Sequence, residues 1–216
     1  MLVLTQVSRV YGPVKVYLSN NAIRVENPSR DKVFLCKAPL WEALLCNEQR
    51  KSIYRVSFSQ WSKRGIKTAL ALEDNDSLRN QPGHKESDRT YAGVRSTAYW
   101  YENPGRPGTK HAVYVLTNEF PVDKNAQRFL QAVFDLPWAS GIPLSFQRKG
   151  GDSYGFGLAY NRKREMQTFL ETSTVKKTQF DPKVFLAPVK YKAVSESEIF
   201  IDSKDVTDAY AQFMGN

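Results

Sequence analysis

A chain of 216 residues with 41% hydrophobic content can bury one sizeable core, and its 12 Phe, 11 Tyr and 4 Trp favour strands over helices as the framework. The net charge of +9 suits anionic partners, but Lys and Arg are scattered; the densest runs are Arg162-Lys163-Arg164 and Lys176-Lys177, which argues against a dedicated nucleic-acid interface. Two cysteines, Cys36 and Cys46, exclude a disulfide scaffold and a zinc site, and no stretch reaches the ~20 apolar residues of a membrane-spanning helix.

The opening segment, MLVLTQVSRVYG, lacks a charged region followed by a long apolar run, so no signal peptide is expected. Residues 2–19 read as two strands around Tyr11-Gly12-Pro13. In the second, Val14, Val16 and Leu18 share one face, and Lys15, Tyr17 and Ser19 the other. Asn20-Asn21 is turn chemistry. Ile23 and Val25 alternate with Arg24 and Glu26 in a third strand, closed by Asn27-Pro28-Ser29.

Val33–Trp61 organises the rest, as three strands in a row followed by a short helical turn. A three-residue turn at Ala38-Pro39-Leu40 would set Lys37 opposite Trp41, Leu35 opposite Ala43 and Val33 opposite Leu45. A four-residue loop at Asn47-Glu48-Gln49-Arg50 would then pair Cys46 with Lys51, Leu44 with Ile53 and Glu42 with Arg55. The other face would pair Trp41 with Val56, Ala43 with Tyr54 and Leu45 with Ser52. Opposite charges at Glu42 and Arg55 favour that register. The Trp41 face is almost wholly apolar and is assigned to the interior. Cys36 would face Glu42, with Cys46 four residues further on, roughly 13 Å at ~3.3 Å per residue. That exceeds the ~7 Å reach of a disulfide, so free thiols are expected.

Ser57 can cap a helical turn carrying Phe58 and Trp61. Residues 73–90 are the most polar segment and read as a mobile loop. Strands are expected at Tyr91–Tyr101 and Lys110–Thr117, separated by a Pro- and Gly-rich turn. Residues 123–136 form the clearest helix: Asp123 is its cap, Ala126, Phe129, Leu130, Val133 and Phe134 form its apolar stripe, and Pro137 stops it. Strands return at Ile142–Gln147, Tyr154–Asn161 and Glu165–Thr178, although Met166, Phe169 and Leu170 in the last would also fit a helical turn. The segment FDPKVFLAPVKYKAV is Pro-broken and extended. Val206, Ala209, Tyr210 and Phe213 then suggest a terminal amphipathic helix over 204–214, with Ser203 as its cap.

Gly151-Asp152-Ser153-Tyr154-Gly155 matches the nucleophile-elbow pattern, but that elbow needs a helix after the serine and a histidine later in the chain. FGLAYN follows like a strand, and His84 and His111 both lie upstream. The same glycines lack the Lys-Ser or Lys-Thr of a phosphate loop. Metal ligands are not clustered and carboxylates are dispersed, so no catalytic residue, metal site or cofactor is assigned. The aromatic set Trp41, Tyr54, Phe58, Trp61, Tyr99, Trp100 and Tyr101 would suit base stacking if exposed, an apolar ligand if concave, or an ordinary core.

The run of an apolar strand, Ala38-Pro39-Leu40-Trp41, a strand ending in Asn47, a charged turn and Tyr54 resembles lipoprotein and lipid carriers of the LolA, LolB and LppX type. Ile23-Arg24-Val25-Glu26 is similar to a segment preceding strands in those proteins. The tail Phe180-Asp181-Pro182, Phe185, Pro188 and Tyr191-Lys192 looks like their closing segment, with Val189-Lys190 replacing a glycine step. The resemblance covers about a third of the chain. It implies a mainly β fold: a curved, unclosed antiparallel sheet, a half-barrel, with helices packed into its concave face. Such proteins hold acyl chains or lipidated proteins in the bacterial envelope.

The resulting expectation is a single half-barrel domain over 1–216 that binds or transports an apolar ligand without catalysis. Val33, Leu35, Trp41, Leu45, Tyr54 and Val56 would line the sheet side and Phe129 and Val133 the lid. The partners would be a lipid or lipidated protein and an anionic membrane surface rather than nucleic acid. The location would be periplasm or outer membrane for a trimmed mature form, and cytoplasm otherwise. The alternatives are a basic β-module for nucleic acid or an acidic protein, and an envelope assembly factor without ligand.

Overall fold

A computed structural model describes residues 1–64, 78, 81–103, 106–149 and 165–200. The strands are β1 (Leu2–Ser8), β2 (Gly12–Leu18), β3 (Ala22–Asn27), β4 (Lys32–Lys37), β5 (Glu42–Asn47), β6 (Ser52–Val56), β7 (His84–Tyr91), β8 (Val94–Asn103), β9 (Arg106–Thr117), β10 (Ile142–Lys149), β11 (Met166–Lys177) and β12 (Lys192–Ala193). Among the described residues three α-helices accompany them: α1 (Phe58–Arg64) after β6, α2 (Lys124–Val133) after β9 and α3 (Glu196–Phe200) after β12.

All twelve strands form one mixed sheet in the order β12-β6-β5-β4-β3-β2-β1-β11-β10-β9-β8-β7. It is not closed, since β12 and β7 stand at its two ends. Two antiparallel meanders, β1 to β6 and β7 to β11, are joined where β1 pairs with β11, Leu2 opposite Lys177. Among the described strands only β12 runs parallel to its neighbour, β6.

Alternation builds the strands as read. Val14, Val16, Leu18, Ile23 and Val25 are all buried. These side chains belong to the main core, with Leu4, Phe34, Leu45, Tyr114 and Phe146. The α2 stripe joins that core through Ala126, Phe129, Leu130 and Val133. Asp123 caps the helix, its carboxylate accepting from the Asn125 N–H at 2.7 Å. Ser57 likewise accepts from the Gln60 N–H at 3.4 Å at the head of α1.

The β4–β5 register differs from the sequence expectation by one residue. Lys37 faces Glu42, Cys36 faces Ala43, Leu35 faces Leu44, Phe34 faces Leu45 and Val33 faces Cys46. The cause is the turn. It spans four residues, Ala38 to Trp41, because Trp41 adopts a left-handed conformation, φ 50°, and its N–H closes on the Lys37 carbonyl at 2.8 Å. A bulky residue is rarely placed there, so a sequence reading assigns Trp41 to the strand. The neighbouring connections have the same length and end the same way, at Asp31 and Lys51, each with φ 50°.

A one-residue slip exchanges faces. Phe34 and Cys36 therefore point into the main core, while Val33 and Leu35 point to the opposite face. The β5–β6 register also differs, by two residues: Leu45 faces Tyr54, Leu44 faces Arg55 and Cys46 faces Ile53. An even shift keeps the faces. Glu42 and Arg55 are not directly opposed, yet they meet diagonally, Arg55 Nη1 to Glu42 Oε2 at 3.1 Å.

Residues 84–90, expected in a mobile loop, belong to β7 instead. The strand has no apolar face to announce it. It is held by pairing with β8 across the two-residue turn Ala92-Gly93, and by polar contacts such as Lys85 with Asp88 at 2.7 Å and Asp88 with Thr97 at 2.8 Å.

The chain after β11 crosses the other face of the sheet as a strap, 178–194. Phe185 in its short 3-10 turn, Pro182–Phe185, is buried with Ala22, Val33, Leu35, Leu44, Cys46 and Ile53. The strap is thus extended and Pro-broken, as its sequence suggests. The expected strand Tyr154–Asn161, the Gly151–Gly155 pattern and the helix 204–214 lie outside the described residues.

Candidate functional site: the aromatic rim of the main core

The main core is crossed by a line of rings. Tyr11 lies 5.3 Å from Phe34, Phe34 lies 6.4 Å from Trp61, and Trp61 stacks on Phe129 at 5.7 Å. Phe34 on β4, Trp61 on α1 and Phe129 on α2 thereby connect sheet and helices. Phe34 was not among the expected site residues, because the assumed register turned it to the opposite face.

The eight expected lining residues fall into three groups. Leu45, Phe129 and Val133 are buried at 2%, 0% and 1% exposure, enclosed by protein. Val33 and Leu35 lie on the strap face, beside a small cavity under Leu186 and Pro188. They do not share a surface with the other six, which corrects the expectation. Trp41, Tyr54 and Val56 are half-buried and pack against the main core. They sit together: Leu45 faces Tyr54, Ala43 faces Val56, and Trp41 precedes Ala43 on the same face.

Phe58 of α1 and Val194 are likewise half-buried at this margin, and Ile199 of α3 is buried beside it. The Tyr54 hydroxyl lies 3.5 Å from the Glu196 carboxylate of α3. Among the described residues the result is an aromatic rim, partly wetted, between α1, α3 and the β5–β6 ladder. The sequence did carry a signal for α3 that went unused. Ser195-Glu196-Ser197-Glu198 is a capping box: Ser195 Oγ accepts from the Glu198 N–H at 3.4 Å, and the Glu198 carboxylate accepts from the Ser195 N–H at 2.8 Å. Hydrogen bonds from the Ser195 hydroxyl and then from its N–H hold the Glu198 carboxyl below its ordinary pKa.

Beneath the rim, the Trp61 Nε1–H is buried and has no hydrogen-bond partner. Further along the core, the Tyr114 hydroxyl is also buried without one, and burial raises its pKa well above the ordinary value. Tyr101, buried nearby, is raised to about 12 for the same reason. Tyr101 also meets the backbone closely: a Cβ on Gly83 would stand 3.0 Å from its Cζ.

The thiols are free and buried. Cys36 opposes Ala43 and Cys46 opposes Val33, so they point to opposite faces. Burial pushes the Cys36 thiol up to about 12 and Cys46 up to about 11. Neither is a nucleophile near neutral pH. His84 stacks on Trp100 at 4.4 Å and lies 3.6 Å from Glu102. Among the described residues no three His, Cys, Asp or Glu side chains are grouped to hold a metal ion, and no helix is long and apolar enough to cross a membrane.

No family model matches the chain, and no curated protein matches it. Among solved structures, an uncharacterized conserved protein from Thermus thermophilus is similar over 89% of this chain and 88% of its own, at 9% identity and a TM-score of 0.45. A likeness of that depth carries no argument about function.

Proposed function

We propose that this chain is a non-enzymatic binding protein for an apolar ligand, a lipid or the acyl chains of a lipidated protein. In this reading the open sheet curves into a half-barrel, its helices sit on the concave face, and the ligand enters at the rim. One observation carries the proposal. Trp41, Tyr54, Val56 and Phe58 form a contiguous apolar and aromatic margin that the fold leaves only half covered, directly above a fully buried core.

Large apolar side chains left half-wet side by side gain free energy from any chain that covers them. An acyl chain contributes about 0.8 kcal/mol per CH₂ removed from water. The unpartnered Trp61 Nε1–H would offer a donor to the ligand's ester or carboxylate oxygen. The short α3, whose Glu196 carboxylate lies 3.5 Å from the Tyr54 hydroxyl, is the element that would move to admit the chain. Val33 and Leu35 take no part, and Leu45, Phe129 and Val133 serve as the floor.

Solvent extraction of the purified protein followed by mass spectrometry tests this. Acyl lipids recovered in stoichiometric amount from the wild type and reduced in Trp41→Ala are the expected result. Equal trace amounts from both would overturn it.

A further inference from the structure

The strap carries two kinds of side chain. Phe185 is buried, and Val184, Ala187 and Tyr191 pack beside it on the sheet. The remaining large apolar groups point to solvent: Phe180 is 52% exposed, Leu186 58% and Val189 80%. Half of the large apolar side chains that stand exposed among the described residues, three of six, therefore lie on this one segment. Exposed Lys183 and Lys190 are interleaved with them; of the acids on this face, Asp181 is engaged in capping the Lys183 N–H at 2.9 Å, and Glu48, beside Leu186, pairs with Arg24 at 3.5 Å.

The strap is also pre-set in shape. Thr178 N–H donates to the Met1 carbonyl at 2.9 Å at its start. At its end, Lys192 N–H donates to Lys51 O at 2.8 Å and Val194 N–H to Ile53 O at 3.0 Å. The Lys51 ammonium lies over the Tyr191 ring, 5.4 Å from its centre. Little order remains to be imposed on binding.

We propose that the strap face is a docking surface for an anionic lipid bilayer, with Leu186 and Val189 entering the headgroup–acyl boundary and Lys183 and Lys190 contacting the headgroups. Charge complementarity and chemistry select this partner. Lysines spaced by aliphatic groups match a fluid surface of dispersed negative charge, where apolar burial and Coulomb attraction add. Nucleic acid would call for free aromatic faces for stacking, whereas Phe180 already stacks on Phe185 at 6.0 Å. This surface lies on the face of the sheet opposite the rim, and the inference stands whether or not the core holds a ligand.

The test is flotation of the full chain with phosphatidylcholine vesicles, with and without phosphatidylglycerol, at low and high salt. Binding only to the anionic vesicles, weakened by salt, is expected. Removing both lysines as Lys183→Gln with Lys190→Gln should weaken it by roughly 25-fold, at about 5-fold per lysine. Leu186→Ser with Val189→Ser should abolish it while the circular dichroism and melting temperature stay unchanged. Lys85→Gln with Lys110→Gln, on β7 and β9, should bind like the wild type. Binding to neutral vesicles as strong as to anionic ones, or strap variants that bind normally, would overturn the proposal. So would tighter retention on single-stranded nucleic acid than on anionic vesicles, or a concentration-dependent dimer abolished by Leu186→Ser with Val189→Ser.

Discussion

Ala92 has φ 48° and Gly93 φ 81°, the two positive values that a two-residue hairpin turn of the type I′ class requires. Glycine takes this conformation freely, while alanine is strained in it by about 1–2 kcal/mol. Ala92→Asn is predicted to stabilise the protein by about 1 kcal/mol in urea denaturation, since asparagine tolerates the left-handed region. At Trp41 the same backbone preference is overridden, because the ring lies on the main core. Trp41→Gly would relieve the backbone and still expose the core beneath.

The thiols give a pH dependence with a defined sign. Cys36 and Cys46 ionise near 9 when exposed, but only at about 12 and about 11 when folded. A raised pKa in an acid means the folded state holds its proton more tightly. The stability is thus fully present below about pH 9 and declines as pH rises from there towards the folded values. A urea titration series from neutral to alkaline pH should show that decline. Cys36→Ala with Cys46→Ala should flatten part of it, with Tyr91, Tyr101 and Tyr114 contributing to the remainder. Ellman's reagent should find both thiols silent at about pH 8 until denaturant is added.

At the scale of elements, Phe185 is the buried anchor of the strap. Phe185→Ala is predicted to cost about 3–5 kcal/mol, as for a buried aromatic. It should also release β12, seen as faster amide exchange at Lys192 and Val194. Phe180→Ala, half exposed, should change stability by no more than about 0.5 kcal/mol. Which elements were legible follows from their patterning. The strands β2 and β3 alternate cleanly, and α2 has a 3.6-residue stripe with a cap, so each was readable from residues alone. The hairpin β4–β5 was readable as strands but not in register. Val33 to Cys36 and Ala43 to Cys46 are buried on both faces, and strands without alternation do not reveal which side is which. The left-handed Trp41 removed the remaining cue. The β7 strand was illegible for the opposite reason, since nearly every side chain is exposed and its pairing is made by the ladder. Its charged side chains suit an edge that must not pair with other chains.

For the whole molecule, the register decides which surface is which. Six of the eight residues expected to line one cavity stay on one face, and two move to the other. The rim and the strap face are then separate surfaces on opposite sides of one sheet, the first proposed for an apolar ligand and the second for a bilayer. The β1–β11 pairing that unites the two meanders joins residues far apart in the chain, and no local pattern announces it. The candidate site is accordingly an outcome of topology: Trp41, Tyr54 and Phe58 are ordinary aromatics in sequence and become a rim only when α1 and α3 flank the β5–β6 ladder.

Equilibrium binding of a fluorescent fatty-acyl probe to delipidated protein tests the separation of faces most directly. The predicted result is saturable binding weakened at least about tenfold by Trp41→Ala with Tyr54→Ala, an effect of about 1.4 kcal/mol or more. Val33→Ala with Leu35→Ala should leave it unchanged in protein that is still folded. Loss of binding in the Val33 and Leu35 variant with retention in the rim variant would contradict the account.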